Sequence, residues 1–408
     1  MRLPKKISIK YIMAYILAFL TIYQSGTVPS ILSIEEDPAP KIILLILEVY
    51  FAFYILLKKR NIKRFIIWFI ILSSYVVINY FIYPQSTLVL MYRLCIFLLY
   101  FFAIDRLVEL GIDFEQMLYK VILFFAITSL VIYCIVHLFQ IPLFHNYFYL
   151  DGGKGLRYIS YFGIYYEQGY ANTQFGLSLY RMTGPFWEPG VYQIYINYAI
   201  YLYIKRNFKS KVQFIILVID LVLTMSSAGI AIGIFLIIVL YYRTKKITTQ
   251  TKVLFGMPAF ALAFFAIVKV VITKFSETYA NKSSAFIRLY DFKLGMELFL
   301  ENFWVGTGYY NTEPFIKRNN YNITGHLGSS NGLLTICYTT GVIGMLFVSI
   351  PFVCNFIHID KSKKIIKLVY IMLIFLFNFV EPVYYYPFML YLLANEYYMM
   401  FSRKSNYL

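Results

Sequence analysis

Residues 212–243 read VQFIILVIDLVLTMSSAGIAIGIFLIIVLYYR. Two apolar runs meet at a small polar knot, Thr224-Met225-Ser226-Ser227-Ala228-Gly229, and Asp220 is the one charge within them. Basic clusters at 205–211 and 243–252 close both ends. A full membrane-crossing helix takes roughly 20 residues, so this stretch is short for two crossings. Its basic ends nevertheless belong on the same, cytoplasmic side. Two short helices joined by a small-residue turn buried in protein satisfy both conditions, as does a re-entrant hairpin. Either way, non-helical backbone at that depth needs cover from protein or water.

The same grammar of apolar run and basic punctuation extends outward in both directions. Of the 408 residues, 60% are hydrophobic and 14% charged. Soluble domains hold about 45–50% apolar and about 25% charged residues, so a soluble core is excluded. Disordered and fibrous classes fall with it. Spans are expected at 10–25, 42–57, 65–83, 87–104, 121–140, 190–204, 212–227, 228–242, 253–272, 331–352, 367–380 and 386–401. The first follows Lys5 and Lys6 without a small-residue cleavage site, which reads as a retained helix. The fold class is therefore all-α: a polytopic membrane helical bundle of about 12 transmembrane helices forming one membrane domain over 1–408.

The net charge of +17 then has a location. Clusters at 1–10, 58–64, 105–120, 205–211, 243–252, 358–367 and 402–408 hold twenty-five basic and five acidic residues. Loops 24–40, 141–189 and 273–330 with the Glu381 turn hold nine basic and twelve acidic. The positive side is cytoplasmic, which puts both termini there and makes the charge an orientation signal. No nucleic-acid partner is needed to explain it. The two long loops, 141–189 and 273–330, lie outside and are expected to carry short helices and the function. Cys95, Cys134, Cys337 and Cys354 lack metal spacing and read as small apolar helix residues.

Three constellations could carry chemistry. The first is Arg181-Met182-Thr183-Gly184-Pro185-Phe186-Trp187-Glu188-Pro189-Gly190. Pro189 suits the first helical position, and Glu188 then falls at or beside the N-cap. It is either a capping carboxylate beside a loop-anchoring arginine, or an acid–base group beside an anion-binding one. At a helix N-terminus the ionised form is favoured, so no strongly raised pKa is expected. The second joins Arg288, in an amphipathic 284–300 segment on the membrane's outer surface, to Gly306-Thr307-Gly308, which permits a tight turn or close backbone approach. Ala285, Phe286, Leu289, Phe292, Met296, Phe299 and Leu300 form its apolar face. The third is Thr324-Gly325-His326-Leu327-Gly328-Ser329-Ser330-Asn331-Gly332. Ser329, Ser330 and Asn331 are N-cap candidates and His326 a proton acceptor. Gly341 and Gly344 beyond it read as close-packing helix residues.

Aromatic residues make 20% of the chain. Most suit interfacial belts and apolar filling. Tyr158, Tyr161, Phe162, Tyr165, Tyr166 and Tyr170 crowd one outer loop, and Phe303, Trp304, Tyr309, Tyr310 and Tyr321 the other. Flat faces with hydroxyl handles suit sugar rings. Within the spans, Arg93 pairs with Glu48 or Asp220, or joins Lys269 in holding an anionic headgroup. Lys41 and Glu396, near helix ends, are expected to snorkel.

These segments, in this order and topology, resemble the O-antigen polymerase and O-antigen ligase superfamily. The likeness rests on Arg181 to Pro189, on the Thr224 to Gly229 turn, on Arg288 with Gly306 and Gly308, and on His326, Asn331, Gly341 and Gly344. It spans about 181–345 of this chain. It implies a glycosyltransferase of the cytoplasmic membrane acting on a polyprenyl-pyrophosphate-linked oligosaccharide at the outer face. It implies catalytic roles for Arg181, Glu188, Arg288 and His326, with substrate contacts from Arg93, Lys269, Asn331, Trp187 and Tyr309. Arginines stabilise the leaving pyrophosphate, and Glu188 or His326 takes the acceptor's proton. No cofactor and no metal is called for; the Glu35-Glu36-Asp37 run reads as a solvated acidic loop. A flippase and a chain-length regulator of the same pathway are expected partners beside the lipid bilayer. Ligases of the superfamily often place His directly before Asn. Here Ser330 precedes Asn331, which favours a repeat-unit polymerase over a ligase. A flippase-like transporter would show repeated halves, and none is visible. A non-catalytic assembly or sensor protein would not need arginines in both outer loops.

Overall fold

The computed structural model describes residues 9–35, 46, 47, 50, 63–83, 87–150, 156–168, 172–174, 177–243, 284–309, 311–320 and 328–402. All of the expected span 253–272, and all of 42–57 but residues 46, 47 and 50, lie outside these residues. So do Lys41, Glu48, Lys269 and His326. The chain groups into two compact units, one of Met1–Val121 with Tyr290–Leu408, the other of Ile122–Leu289.

In the first unit, α1 (Ile9–Tyr23), α2 (Val28–Glu35), α3 (Lys63–Ile82) and α4 (Thr87–Glu109) precede α5 (Phe114–Tyr133), whose second half continues into the other unit. The second unit adds a π turn at Cys134–Leu138 and strands β1 (His145–Leu150), β2 (Leu156–Tyr161), β3 (Tyr165–Gln168), β4 (Asn172–Gln174) and β5 (Leu177–Leu179). Then come α6 (Pro189–Arg206), α7 (Lys211–Leu223) and α8 (Ser227–Arg243). The first unit resumes at Tyr290, within α9 (Ser284–Glu301), and continues with α10 (Glu313–Arg318), α11 (Gly332–His358), α12 (Lys364–Val380) and α13 (Pro387–Ser402). Among the described residues, Phe114–Leu138 and Gly332–His358 are long and apolar enough to cross a membrane. Ile9–Tyr23 and Ser227–Arg243 are shorter apolar helices.

The 212–243 stretch forms two helices. Thr224 and Ser226 in the turn between them are buried, and Met225 takes a left-handed φ of 52°. The cover that this depth demands comes from the chain entering α6. Met182 N–H donates to Leu223 O at 3.0 Å, and the Arg181 Nε–H donates to Thr224 O at 3.1 Å. On α6, Asn197 Nδ2 donates to Gly229 O at 3.0 Å.

The first outer loop departs from the expectation of short helices. It is an antiparallel β1-β2-β3 sheet with a separate β4-β5 pair. Phe162 and Gly163 both take positive φ, 56° and 68°, and turn β2 into β3. Aromatic residues favour pleated, half-buried surfaces, which outweighs the helical template here. Tyr158, Tyr161, Tyr165 and Tyr166 are buried as the core of this layer, so they stack on protein rather than on sugar. Phe162 stays exposed.

Gly341 is not a helix-packing residue. It breaks α11 with φ 61° and ψ −171°. The break frees backbone groups that a membrane cannot satisfy. The loop after α9 takes them up: Thr307 N–H donates to Tyr338 O at 2.7 Å and Gly308 N–H to Thr339 O at 3.1 Å. In return, Val342 N–H donates to Phe303 O at 2.8 Å and Ile343 N–H to Trp304 O at 3.2 Å. Tyr75 OH closes the last gap on Thr340 O at 2.8 Å. A Cβ on Gly306 would stand 2.4 Å from the Thr339 carbonyl carbon, so this approach needs glycine.

Two further expectations change. Glu396 does not snorkel: it is fully buried on α13, with Lys367 Nζ 2.5 Å from each carboxylate oxygen and Asn355 Nδ2 at 2.8 Å. Asp220 accepts a hydrogen bond from Tyr192 OH at 2.6 Å, and the side chain of Arg93, its expected partner, lies outside the described residues. On α9 the buried face is Asp291, Leu294 and Leu298. The predicted stripe of Phe286, Leu289, Phe292 and Leu300 is exposed. The helix is apolar on two faces, and the described residues cover one of them.

Candidate functional site

Glu188 and the guanidinium groups of Arg181 and Arg288 come within electrostatic reach in the second unit, although Glu188 and Arg288 are 100 positions apart in sequence. Glu188 occupies the N-cap of α6 as expected, with extended backbone (φ −144°, ψ 143°) and Pro189 following. Its side chain makes no capping hydrogen bond; the backbone carbonyl instead accepts from Val191 and Tyr192 N–H, each at 3.1 Å. The carboxyl is thus spared a capping role. Burial raises its pKa above the ordinary carboxylate range, while Arg181 and Arg288 oppose that shift. Desolvation outweighs the two arginines, so the shift is upward.

The loop that carries Arg181 and Glu188 is fixed from several directions. Tyr166 N–H donates to Gly184 O at 2.8 Å, and Thr183 Oγ1 donates to Tyr166 O. Tyr158 OH donates to Trp187 O at 2.9 Å. Ahead of Arg181, the Tyr180 ring stacks on His137 at 4.5 Å, and Tyr133 OH donates to Tyr180 O at 3.2 Å. His137 Nε2 stands 2.7 Å from Glu167 Oε2, whose other oxygen accepts from Tyr161 OH at 3.2 Å. The outer sheet is therefore a brace for the 181–188 segment. Sequence reasoning missed this brace; the aromatic density of 158–166 was its one visible trace.

In the first unit, Asn331 is the N-cap of α11, its Oδ1 accepting from Leu334 N–H at 3.1 Å. The turn before it is held by Asp291, fully buried on α9, whose Oδ2 accepts from Ser330 N–H at 2.8 Å and Ser330 Oγ at 2.6 Å. Asp291 lies one helical turn beyond Arg288, so α9 carries both an arginine of the second motif and the anchor of the third. Tyr309 N–H donates to Asn79 Oδ1, and the Tyr309 side chain lines an apolar cavity with Thr340, Gly344 and Asn378. Trp187 is half-buried, and its indole N–H is buried without a hydrogen-bond partner. Arg93 stands on α4. His326 and Lys269 fall outside the described residues. Among the described residues, no group of three His, Cys, Asp or Glu side chains is arranged to hold a metal ion.

Residues 212–349 match the family model described as O-Antigen ligase. The matched segment, about a third of the chain, runs from α7 through the turn at 224–229, Arg288 and the 303–308 loop to the broken part of α11. Arg181 and Glu188 precede it. No curated protein matches the chain.

Proposed function

We propose that this protein is a membrane glycosyltransferase that polymerises polyprenyl-pyrophosphate-linked oligosaccharide repeat units at the outer face of the cytoplasmic membrane. The product class is O-antigen, capsular polysaccharide or exopolysaccharide. The observation that supports the reading is that Arg181 and Arg288 both act electrostatically on the half-buried Glu188. Two fixed cations beside one desolvated carboxylate match what the reaction needs. The acceptor sugar's hydroxyl oxygen attacks the anomeric carbon of the donor. A glycosidic C–O bond forms as the bond from that carbon to the pyrophosphate oxygen breaks, and the pyrophosphate leaves with the electron pair. Guanidinium forks suit its charge and shape, and they act where charge develops. Glu188 takes the hydroxyl proton, and a raised pKa makes it a stronger base than an exposed carboxylate.

A ligase that delivers the glycan to a different lipid acceptor is the second reading, favoured by the description of the matching family. One experiment separates them. Purified protein in lipid is given polyprenyl-pyrophosphate-linked repeat units, and the products are resolved by length. A ladder is the expected result. Transfer to a foreign acceptor without a ladder makes it a ligase. Movement of labelled lipid between leaflets with no glycan transfer overturns both in favour of a transporter.

A further inference from the structure

Asp220 has no place in that chemistry, yet it is a costly residue. It lies on α7 inside the apolar run, with no exposed surface. A carboxyl buried among membrane helices is expensive, and an apolar residue there would avoid that cost. Its one side-chain hydrogen bond among the described residues comes from Tyr192 OH, at 2.6 Å on Oδ2. Direct contact with substrate is closed to it by burial.

What Tyr192 touches gives the carboxyl its purpose. The Tyr192 ring forms the floor of the Arg181–Glu188 loop. A Cβ built on Gly184 would stand 2.9 Å from Tyr192 Cζ, and Gly184 itself has φ +58°. Phe186 stacks on the same ring at 5.6 Å and 26°. From the other side, Asp220 O accepts from Thr224 N–H at 3.0 Å, opening the turn whose carbonyls hold Met182 N–H and the Arg181 Nε–H. One residue therefore joins the two supports of the loop: its side chain fixes the ring beneath Gly184 and Phe186, and its backbone begins the turn that holds Arg181.

We infer that Asp220 is a positioning residue for glycan transfer, acting through the Tyr192 hydroxyl to hold the loop that presents Arg181 and Glu188. The inference rests on the role proposed for that loop. Losing the acceptor leaves the buried phenol only the Ser129 hydroxyl beside it, loosens its ring, and lets the loop shift. A displacement of about 1 Å in a catalytic group can cost on the order of 100-fold in rate.

The test compares D220L, D220N, Y192F and the D220L/Y192F pair as purified full-length protein in the ladder assay, with turnover expressed per folded molecule. D220L should lower kcat by roughly 10- to 100-fold with little change in KM, since transition-state geometry is lost rather than substrate affinity. D220N, whose amide oxygen still accepts from the phenol, should stay within about threefold of wild type. Y192F should lose kcat about tenfold, and the pair should be no worse than D220L alone, because both remove one interaction. If D220L fails to fold, Y192F decides, as it deletes a single oxygen and keeps the ring. Wild-type turnover in folded D220L or in Y192F overturns the inference. So does a D220N protein as slow as D220L, which would mean that charge and not the hydrogen bond matters. R181A in the same assay keeps the two readings apart. An active R181A removes the site itself, whereas an inactive R181A with an active D220L removes only the part assigned to Asp220.

Discussion

At the scale of single residues, the account turns on Glu188. Burial raises its pKa, and Arg181 and Arg288 pull it down. A base works in its ionised form, so activity should climb with pH along an acid limb lying above the ordinary carboxylate range. E188Q should abolish that limb together with most of the turnover. In R288Q one lowering influence is gone, so the limb of its residual activity should move further up. A pH profile of kcat/KM in the three proteins checks this; a limb that stays put in R288Q, or that survives E188Q, assigns it to another group. The direction of this shift was not legible in the sequence, because a helix N-terminus is a local feature whereas desolvation depends on the folded surroundings.

At the scale of elements, the seam between the 303–308 loop and broken α11 is the least ordinary part of the fold. Gly306 has φ +79° and no room for a Cβ against the Thr339 backbone. G306A should therefore lower stability by about 2 kcal/mol or more, read as a clear drop in thermal midpoint in detergent. Gly328, with open space around its missing Cβ, is the control, and G328A should leave the midpoint nearly unchanged. Equal midpoints in the two variants would contradict the seam. The helices themselves were legible. Long apolar runs bounded by charge gave α6, α11, α12 and α13 to within a few residues at most ends. The α7–α8 turn was legible too, because Thr224 to Gly229 are small and polar. The outer strands were not, since their alternation is masked by aromatics on both faces. The break at Gly341 was not legible either, because an interior glycine reads as close packing until the segment that replaces its hydrogen bonds is seen.

At the scale of the whole molecule, sequence and structure divide the charges by purpose. The basic excess near the expected inner helix ends orients the chain, and a reporter fused to the C-terminus should be read out in the cytoplasm. Extracytoplasmic readout would invert the topology on which the outer-face site depends. Buried ionic groups serve packing: Lys367 and Glu396 are respectively 3% and 0% exposed. K367M should destabilise by about 3–5 kcal/mol by stranding the carboxylate, and K367M/E396L should regain much of it. Chemical unfolding in detergent compares them, and a K367M as stable as wild type would contradict the buried pair. Among the described residues, Arg181 and Arg288 both act on one carboxylate, Glu188. Their convergence could not be read from either motif alone, because it depends on how α9 and the loop before α6 are folded together.

The most direct test of that convergence is the length distribution of glycan made from polyprenyl-pyrophosphate-linked repeat units by wild type, R181A and R288A, each purified from the membrane in comparable amounts. The account predicts a ladder from the wild type and none from either variant. A ladder of undiminished length and rate from both variants would contradict it.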